Sequence, residues 1–360
     1  MQALVLSGGE GTRLRPLTYT TPKAVMPLAG RPFLTFMLDW LHGHGVDDVV
    51  LSCGFLSAGV RRVLGDIYQG MRLRYVVEEE PLGTAGPVRL ALEEGILEDR
   101  LIVANGDVLT DIDLTAQIAW HEERGARATL ALVEVDDTSS YGVVPTDADG
   151  RVEAFLEKSA DAPTNRINAG VYVLERDVIE AIPSGRPVSF EREIFPSLAG
   201  ESLYGYHPEA PYWIDIGTPE RYLEATWDLL AGRVASTLPE RDETGSLVLD
   251  GSLVAGAHVG PQTVLGRSCS VGTDALVERA VLHDRVIVGA DAAVRESVLG
   301  ERVRVGEGAQ LGPRALVGAG ASIGEGARVG EGARLDPGVQ VEAGGRVGAG
   351  QTIAAETAPG

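Results

Sequence analysis

The chain is short of cysteine, aromatic rings, lysine and long apolar runs, and each shortage narrows what it can be. Two cysteines in 360 residues, Cys53 and Cys269, are too few and too far apart for a disulfide framework, and they match no metal or redox spacing. They read as buried free thiols of a reducing compartment. Aromatic residues make up 5% of the chain against 44% hydrophobic, and the length suffices for two domains with real cores. No apolar segment approaches the roughly 20 residues that a membrane-spanning helix needs. Neither a basic leader nor a signal-type apolar core opens the sequence. The expectation is a cytoplasmic protein with no membrane partner.

Positive charge is scarce as well. Lys and Arg total 31 against 52 Asp and Glu, for a net charge of −21. Such a surface repels phosphate backbones and argues against a nucleic-acid partner. Against this background, residues 1 to 31 hold Arg13, Arg15, Lys23 and Arg31 with a single acid, Glu10. A basic island in an acidic chain suits a small polyanion. Lysine itself occurs twice, at Lys23 and Lys158. An ammonium is a compact charge on a flexible stem, unlike the planar fork of arginine.

What is present falls into two patterns. Up to residue 232, short strand-like runs (3–6, 48–52, 73–77, 101–104, 128–135, 142–145, 170–174) alternate with helical ones (33–44, 86–94, 219–231). That alternation predicts a Rossmann-like α/β fold, with more strands than helices and hence a mixed sheet. "HGHG", His42 to Gly45, looks metal-like but stands where a helix should stop before a strand. A polar linker follows over 233–247.

From 248 to 354, before a short tail at 355–360, the sequence repeats every six residues. Aliphatics stand at Val259, Leu265, Val271 and Val277, then, after two five-residue steps, from Val305 through Leu311, Val317, Ile323, Val329, Leu335 and Val341 to Val347. A period of six fits neither a helix nor a simple strand alternation. It fits a parallel β-helix in which each flat side takes one hexapeptide, here in about five coils. This resembles the left-handed β-helix of hexapeptide-repeat proteins. With only His258 and His283 in the repeat and no long insertion, a structural and assembly role is expected rather than acyl transfer.

The stretch "LSGGEGTRLRPLT" ends the first predicted strand, at the sheet edge where open α/β folds bind ligands. Its glycines free backbone N–H groups for phosphate oxygens. Yet it lacks the third glycine of a dinucleotide loop, having Leu14 there, and the lysine of a Walker loop. Phosphate charge must be met by Arg13 and by Lys23 in "TPKAVMP".

Together with "EEEPLGTAG", "NGDVL", "YGVV", "FLEK", "INAGVYV" and "YWIDIGTPE", these motifs resemble the signature of the sugar-1-phosphate nucleotidyltransferases, over residues 3 to about 230. With a hexapeptide tail, the chain is most similar to the mannose-1-phosphate guanylyltransferase branch. The resemblance implies attack of a sugar-1-phosphate oxygen on the α-phosphorus of a nucleoside triphosphate, with release of pyrophosphate. In that reading Leu6, Gly8, Gly9, Gly11, Thr12, Arg13 and Lys23 hold the triphosphate. Lys158 meets the sugar phosphate, and Gly142, Glu157 and Asn168 meet the sugar. Asp107 and Asp215 are implied as ligands of Mg²⁺, which hard carboxylates suit. Both lysines then fall on the two phosphates that must meet.

For the base, Glu78 or Glu80 can accept the adjacent N1–H and N2–H₂ donors of guanine, whereas uracil and thymine offer one donor between two acceptors. Gly83 would let the ring approach. The substrates expected are therefore GTP and a hexose-1-phosphate, and the flat coil sides predict a homo-oligomer. Two other readings stay open: a glucose-1-phosphate uridylyl- or thymidylyltransferase, and a catalytically silent regulatory subunit that binds sugar nucleotide.

Overall fold

The computed structural model describes residues 1–54, 57–157, 163–254 and 256–355, with Glu157 described by its backbone only. The chain forms two compact units. One is Met1–Gly9 with Leu34–Asp215, the other Glu10–Phe33 with Ile216–Gly360. These units are drawn differently from the composition boundaries at 232 and 247. The basic segment near the amino terminus and the helix Pro219–Leu230 belong to the unit that carries the repeat.

The first unit is built on a mixed sheet. Four parallel strands lie side by side in the order Arg100–Asn105, Gln2–Leu6, Asp48–Cys53, Met71–Val77. Residues 3–5, 49–51 and 101–104 are all buried, as expected of strands covered on both faces. The long strand Arg166–Glu175 joins antiparallel to Arg100–Asn105, which makes the sheet mixed as the strand count predicts. Gln2–Leu6 lies between Asp48–Cys53 and Arg100–Asn105, so the connections leaving its two sides diverge at Leu6. That switch point opens a crevice at the carboxyl edge. The helix Leu34–Gly43 stops at "HGHG" with Gly45 at φ +79°, the left-handed stop expected there.

In the second unit the repeat winds into three parallel sheets of seven, six and six strands, whose strands alternate along the chain. This is a three-sided coil consistent with the left-handed β-helix expected from the repeat. It completes six turns, against about five expected from the repeat, the first running from Leu247 to Val259. On the first side Leu247, Val264, Val281 and Val298 stand 17 residues apart, and Leu316, Arg334 and Thr352 follow at 18. The five-residue steps of the sequence are absorbed at corners without breaking the ladder. Inward aliphatics such as Leu265, Val317 and Leu335 form one continuous core with small residues such as Ala315 and Ala333. The glycine after many of these aliphatics has a steric cause. A Cβ at Gly324 would sit 2.4 Å from the Ala343 nitrogen of the next turn.

The first side of the coil is covered. Its outward residues Leu247, Val264, Val281, Val298 and Leu316 are buried, whereas Ile287, Arg304, Gln340, Gln310 and Arg328 on the other sides are exposed. Pro219–Leu230 and the segment Glu10–Phe33 pack in the same unit. Thr218 caps the helix by accepting from the Arg221 amide, and Pro219 presets its first turn. The Tyr222 hydroxyl donates to the Pro27 carbonyl and meets His283 Nε2 at 3.2 Å. The Trp227 indole donates to the Arg279 carbonyl, and the Arg279 guanidinium lies over that ring at 3.8 Å.

Candidate active site

In the first unit the site grows from the end of the first strand. Leu6 aligns with Ser52 on one side and Asn105 on the other, and its carbonyl accepts from the Gly106 amide at 2.8 Å. Gly8 has no room for a side chain, since a Cβ there would lie 2.9 Å from Glu78 Oε1 and 3.4 Å from the Gly54 nitrogen. Gly9 faces open space, with nothing within 4 Å of a Cβ. One glycine lets two chain segments close up, and its neighbour leaves the backbone bare.

Glu78 accepts from the Ser52 hydroxyl at 2.6 Å through Oε1 and from the Leu82 amide at 3.0 Å through Oε2. Both oxygens are thus engaged in tying the "EEEPLG" turn to the sheet. Glu80 is exposed on the same turn. Gly83 sits at φ +78°, and a Cβ would come 2.5 Å from the Val188 carbonyl oxygen, so backbone packing alone demands glycine there.

The two aspartates come together through a short strand pair. Asp107 follows Arg100–Asn105 in a turn that leads into Val108–Thr110. Trp213–Asp215 runs antiparallel to that strand and places Asp215 opposite Val108, one residue from Asp107. The Tyr141 hydroxyl donates to Asp215 Oδ1 at 2.9 Å, and the Tyr141 ring meets Trp213 edge-on. The Trp213 indole in turn donates to the Ala169 carbonyl at 2.8 Å.

The expected sugar residues occupy neighbouring strands. Gly142 pairs with Glu157 in a short antiparallel ladder, and Val143 pairs with Ile167, next to Asn168. Asn168 Nδ2 donates to the Tyr172 hydroxyl at 2.9 Å, while its Oδ1 accepts from the Gly170 amide at 3.0 Å. Lys158 lies outside the described residues.

Asn105, Tyr141 and Tyr172 are additions that the sequence reading did not single out. Asn105 and Asn168 both reach the Tyr172 hydroxyl. Burial, helped by the charges of Glu191 and Asp107, raises that phenol well above its ordinary range and keeps it a donor. A Cβ at Gly170, φ +74°, would strike Asn105 Nδ2 at 2.5 Å. The available signal was position: Asn105 and Tyr141 stand inside the motifs "NGDVL" and "YGVV", beside Asp107 and Gly142.

The remaining predicted residues belong to the second unit. Gly11, at φ +63°, starts a single tight turn over Thr12–Leu14. Its carbonyl accepts from the Leu14 amide and the Thr18 hydroxyl, both at 2.9 Å. A Cβ on Gly11 would press on Thr18 at 3.0 Å and on Lys23 Cβ at 3.2 Å, so the turn and the lysine are brought together. Thr12 and Arg13 are exposed while Leu14 is fully buried, which anchors the turn and leaves the guanidinium outward. Glu10 pairs with Arg15 at 2.9 Å.

Among the described residues no group of three or more His, Cys, Asp or Glu side chains could hold a metal by itself. Two neighbouring aspartates suit Mg²⁺ on other terms, since that ion takes one or two carboxylates and fills its shell with water and substrate phosphate. No helix among the described residues is long and apolar enough to cross a membrane.

Residues 2–232 match the family described as nucleotidyl transferase, and residues 250–325 match the GMPPB C-terminal domain. The chain is 43% identical to the mannose-1-phosphate guanylyltransferase of Mycobacterium tuberculosis, over 79% of this chain and 80% of that protein. It is 36% identical to a probable mannose-1-phosphate guanylyltransferase 2 of Arabidopsis thaliana, over 78% and 79% of the two chains. Among solved structures, HddC from Yersinia pseudotuberculosis superposes with a TM-score of 0.54 at 31% identity, over 62% of this chain and 97% of that one.

Proposed function

The chain belongs to the nucleotidyl transferase family, and from that premise we propose that it transfers GMP from GTP to mannose-1-phosphate, forming GDP-mannose and pyrophosphate. The likeness to relatives named for this reaction, coil included, carries the choice of substrates. An oxygen of the sugar phosphate attacks the α-phosphorus and pyrophosphate leaves. The attacking oxygen is already ionised, so the work is charge neutralisation and alignment of two polyanions.

The glycine turn offers backbone N–H groups to the triphosphate, and Arg13 and Lys23 offset its charge. Lys158 does the same for the sugar phosphate. Asn168, Glu157 and the bare backbone of Gly142 grip the sugar. The family generally uses a divalent metal, and here Asp107 and Asp215 would hold Mg²⁺, with Tyr141 fixing one oxygen of Asp215. When bound, the ion supplies positive charge to the phosphate oxygens. Base selection falls to Glu78 or Glu80: each oxygen of Glu78 accepts one hydrogen bond from the turn and keeps a second acceptor site, and Glu80 is exposed on the same turn. The reaction draws on nucleoside triphosphate, in keeping with a cytoplasmic enzyme, and the open sides of the coil fit a homo-oligomer.

Pyrophosphate release with Mg²⁺ tests this, crossing GTP, UTP, dTTP, ATP and CTP with mannose- and glucose-1-phosphate. A maximum for GTP with mannose-1-phosphate is expected. A maximum for UTP or dTTP with glucose-1-phosphate would keep the mechanism and sink the carboxylate–guanine argument. Tight sugar-nucleotide binding without turnover would favour a regulatory subunit.

A further inference from the structure

We propose that Arg334, on the sixth strand of the coil's first side, is a positioning residue that holds the turn bearing Arg13. Its Nη1 donates to the carbonyl of Arg13 at 3.1 Å and to that of Arg15 at 2.9 Å. These carbonyls flank Leu14, which is fully buried. The proposal rests on the reading above, in which Arg13 meets the triphosphate.

The need for an outside donor follows from the local sequence. The turn Thr12–Leu14 is closed by the Leu14 amide on the Gly11 carbonyl and the Arg15 amide on the Thr12 carbonyl. To extend it, the Arg13 carbonyl would take the amide of residue 16. That residue is Pro16, which has none. A turn this short leaves its last carbonyls without partners. Arg334 supplies the missing donor, and does so with a charged group, whose hydrogen bonds are the stronger kind.

The repeat itself marks this residue. At the outward position of the first side the successive strands carry Leu247, Val264, Val281, Val298, Leu316, Arg334 and Thr352. Arg334 is the only charged member of that ladder. Its inward neighbour Leu335 is fully buried in the core, so the strand beneath the guanidinium is fixed. Arg13 is exposed and carries no fold of its own. Its reach is set by the turn, and the turn is held from the coil.

The test uses the full-length enzyme with Arg334→Ala, Arg334→Lys and, as control, Arg304→Ala on the exposed second side. In Arg334→Ala the KM for GTP should rise roughly tenfold, since misplacing a binding group without unfolding it weakens the substrate it serves. The KM for mannose-1-phosphate and the melting temperature should hold. Arg334→Lys should recover most of the loss, because both bonds come from one nitrogen. In the free enzyme, hydrogen exchange at the Leu14 and Arg15 amides should quicken in Arg334→Ala and not in Arg304→Ala. Equal rises in both KM values, a fall in melting temperature that accounts for the loss, or unchanged exchange would overturn the proposal. A wild-type enzyme that releases no pyrophosphate from any triphosphate would sink the functional reading instead, and exchange alone would then decide whether Arg334 holds the turn.

Discussion

The two units use parallel strands in opposite ways. In the first, the central strands Gln2–Leu6, Asp48–Cys53 and Arg100–Asn105 are buried on both faces, and residues 101–104 read as an unbroken apolar run. The proposed site lies where the run stops: Leu6 gives way to Gly8, Asn105 to Asp107. In the second, strands are mostly two residues long, one side chain inward and one outward, and the pattern hardly stops at all. There the informative residues are departures from the repeat, such as Arg334 in an apolar ladder or His283 beneath Tyr222. Candidate residues stand at the ends of the sheet's strands in one unit and at irregularities of the repeat in the other.

The contrast can be broken most sharply at the aspartates. Asp107→Ala and Asp215→Ala should each cut turnover about a thousandfold, the loss expected when phosphate charge goes unmatched, while melting stays near wild type. A coil substitution should do the reverse. Leu335→Ala should cost roughly 2–5 kcal/mol by the cavity it leaves, and in a stacked repeat that loss stays with neighbouring turns. Leu4→Ala should be as costly, but in the urea transition of the first unit. A single shared transition for both variants would mean that the units do not melt separately.

Acid should divide the units next. Burial pushes the His283 imidazole down to about 4 from its ordinary 6.5. The unfolded chain therefore takes up the proton first as pH falls. Stability from the neutral ring is complete above about pH 6.5 and is lost towards pH 4, by about 3 kcal/mol in all. His283→Gln should flatten the dependence of the urea midpoint on pH in that window. In the first unit burial also lowers His121, but Glu175 at 3.0 Å works against the shift, so its acid response should have the same sign and be weaker.

The smallest effect separates two adjacent glycines. Gly8→Ala must displace Glu78 and should cost about 1–3 kcal/mol by overpacking. Gly9→Ala meets nothing within 4 Å and should leave stability alone, so any fall in its GTP affinity reports on access to the bare backbone. Thermal melts and GTP titration of both variants distinguish these outcomes.

The fold was largely legible because both periodicities are strong: strand runs punctuated by glycine, and aliphatics every six residues. The first turn of the coil adds to the count because Val248, Val254 and Val259 pair with Leu265, Val271 and Val277 of the next, although Val254 is itself exposed at the open end. Asp107 and Asp215 were legible as motif residues, but only the pairing of Asp215 with Val108 explains why they stand at neighbouring backbone positions. Asn105 and Tyr141 had only their place inside two motifs to mark them, and Tyr172 was illegible, because a buried tyrosine looks like core until its hydroxyl partners are known. Gly83 shows the opposite case, a motif glycine whose demand comes from the Val188 carbonyl behind it. The grouping of Glu10–Phe33 with the coil lies across more than 200 residues of chain and leaves no local trace.

The turn lengths of 17 and then 18 residues make the coil a gauge. The height of any outward residue is fixed by the number of turns beneath it, each adding about 4.8 Å, the spacing of paired strands. Excising one turn below Arg334 would keep the core, the corners and the composition. It would also bring Thr352 to the level where Arg334 stood, with a hydroxyl too short to replace it. In the proposed arrangement the length of the coil, and not only its composition, decides whether a donor stands level with the Arg13 turn.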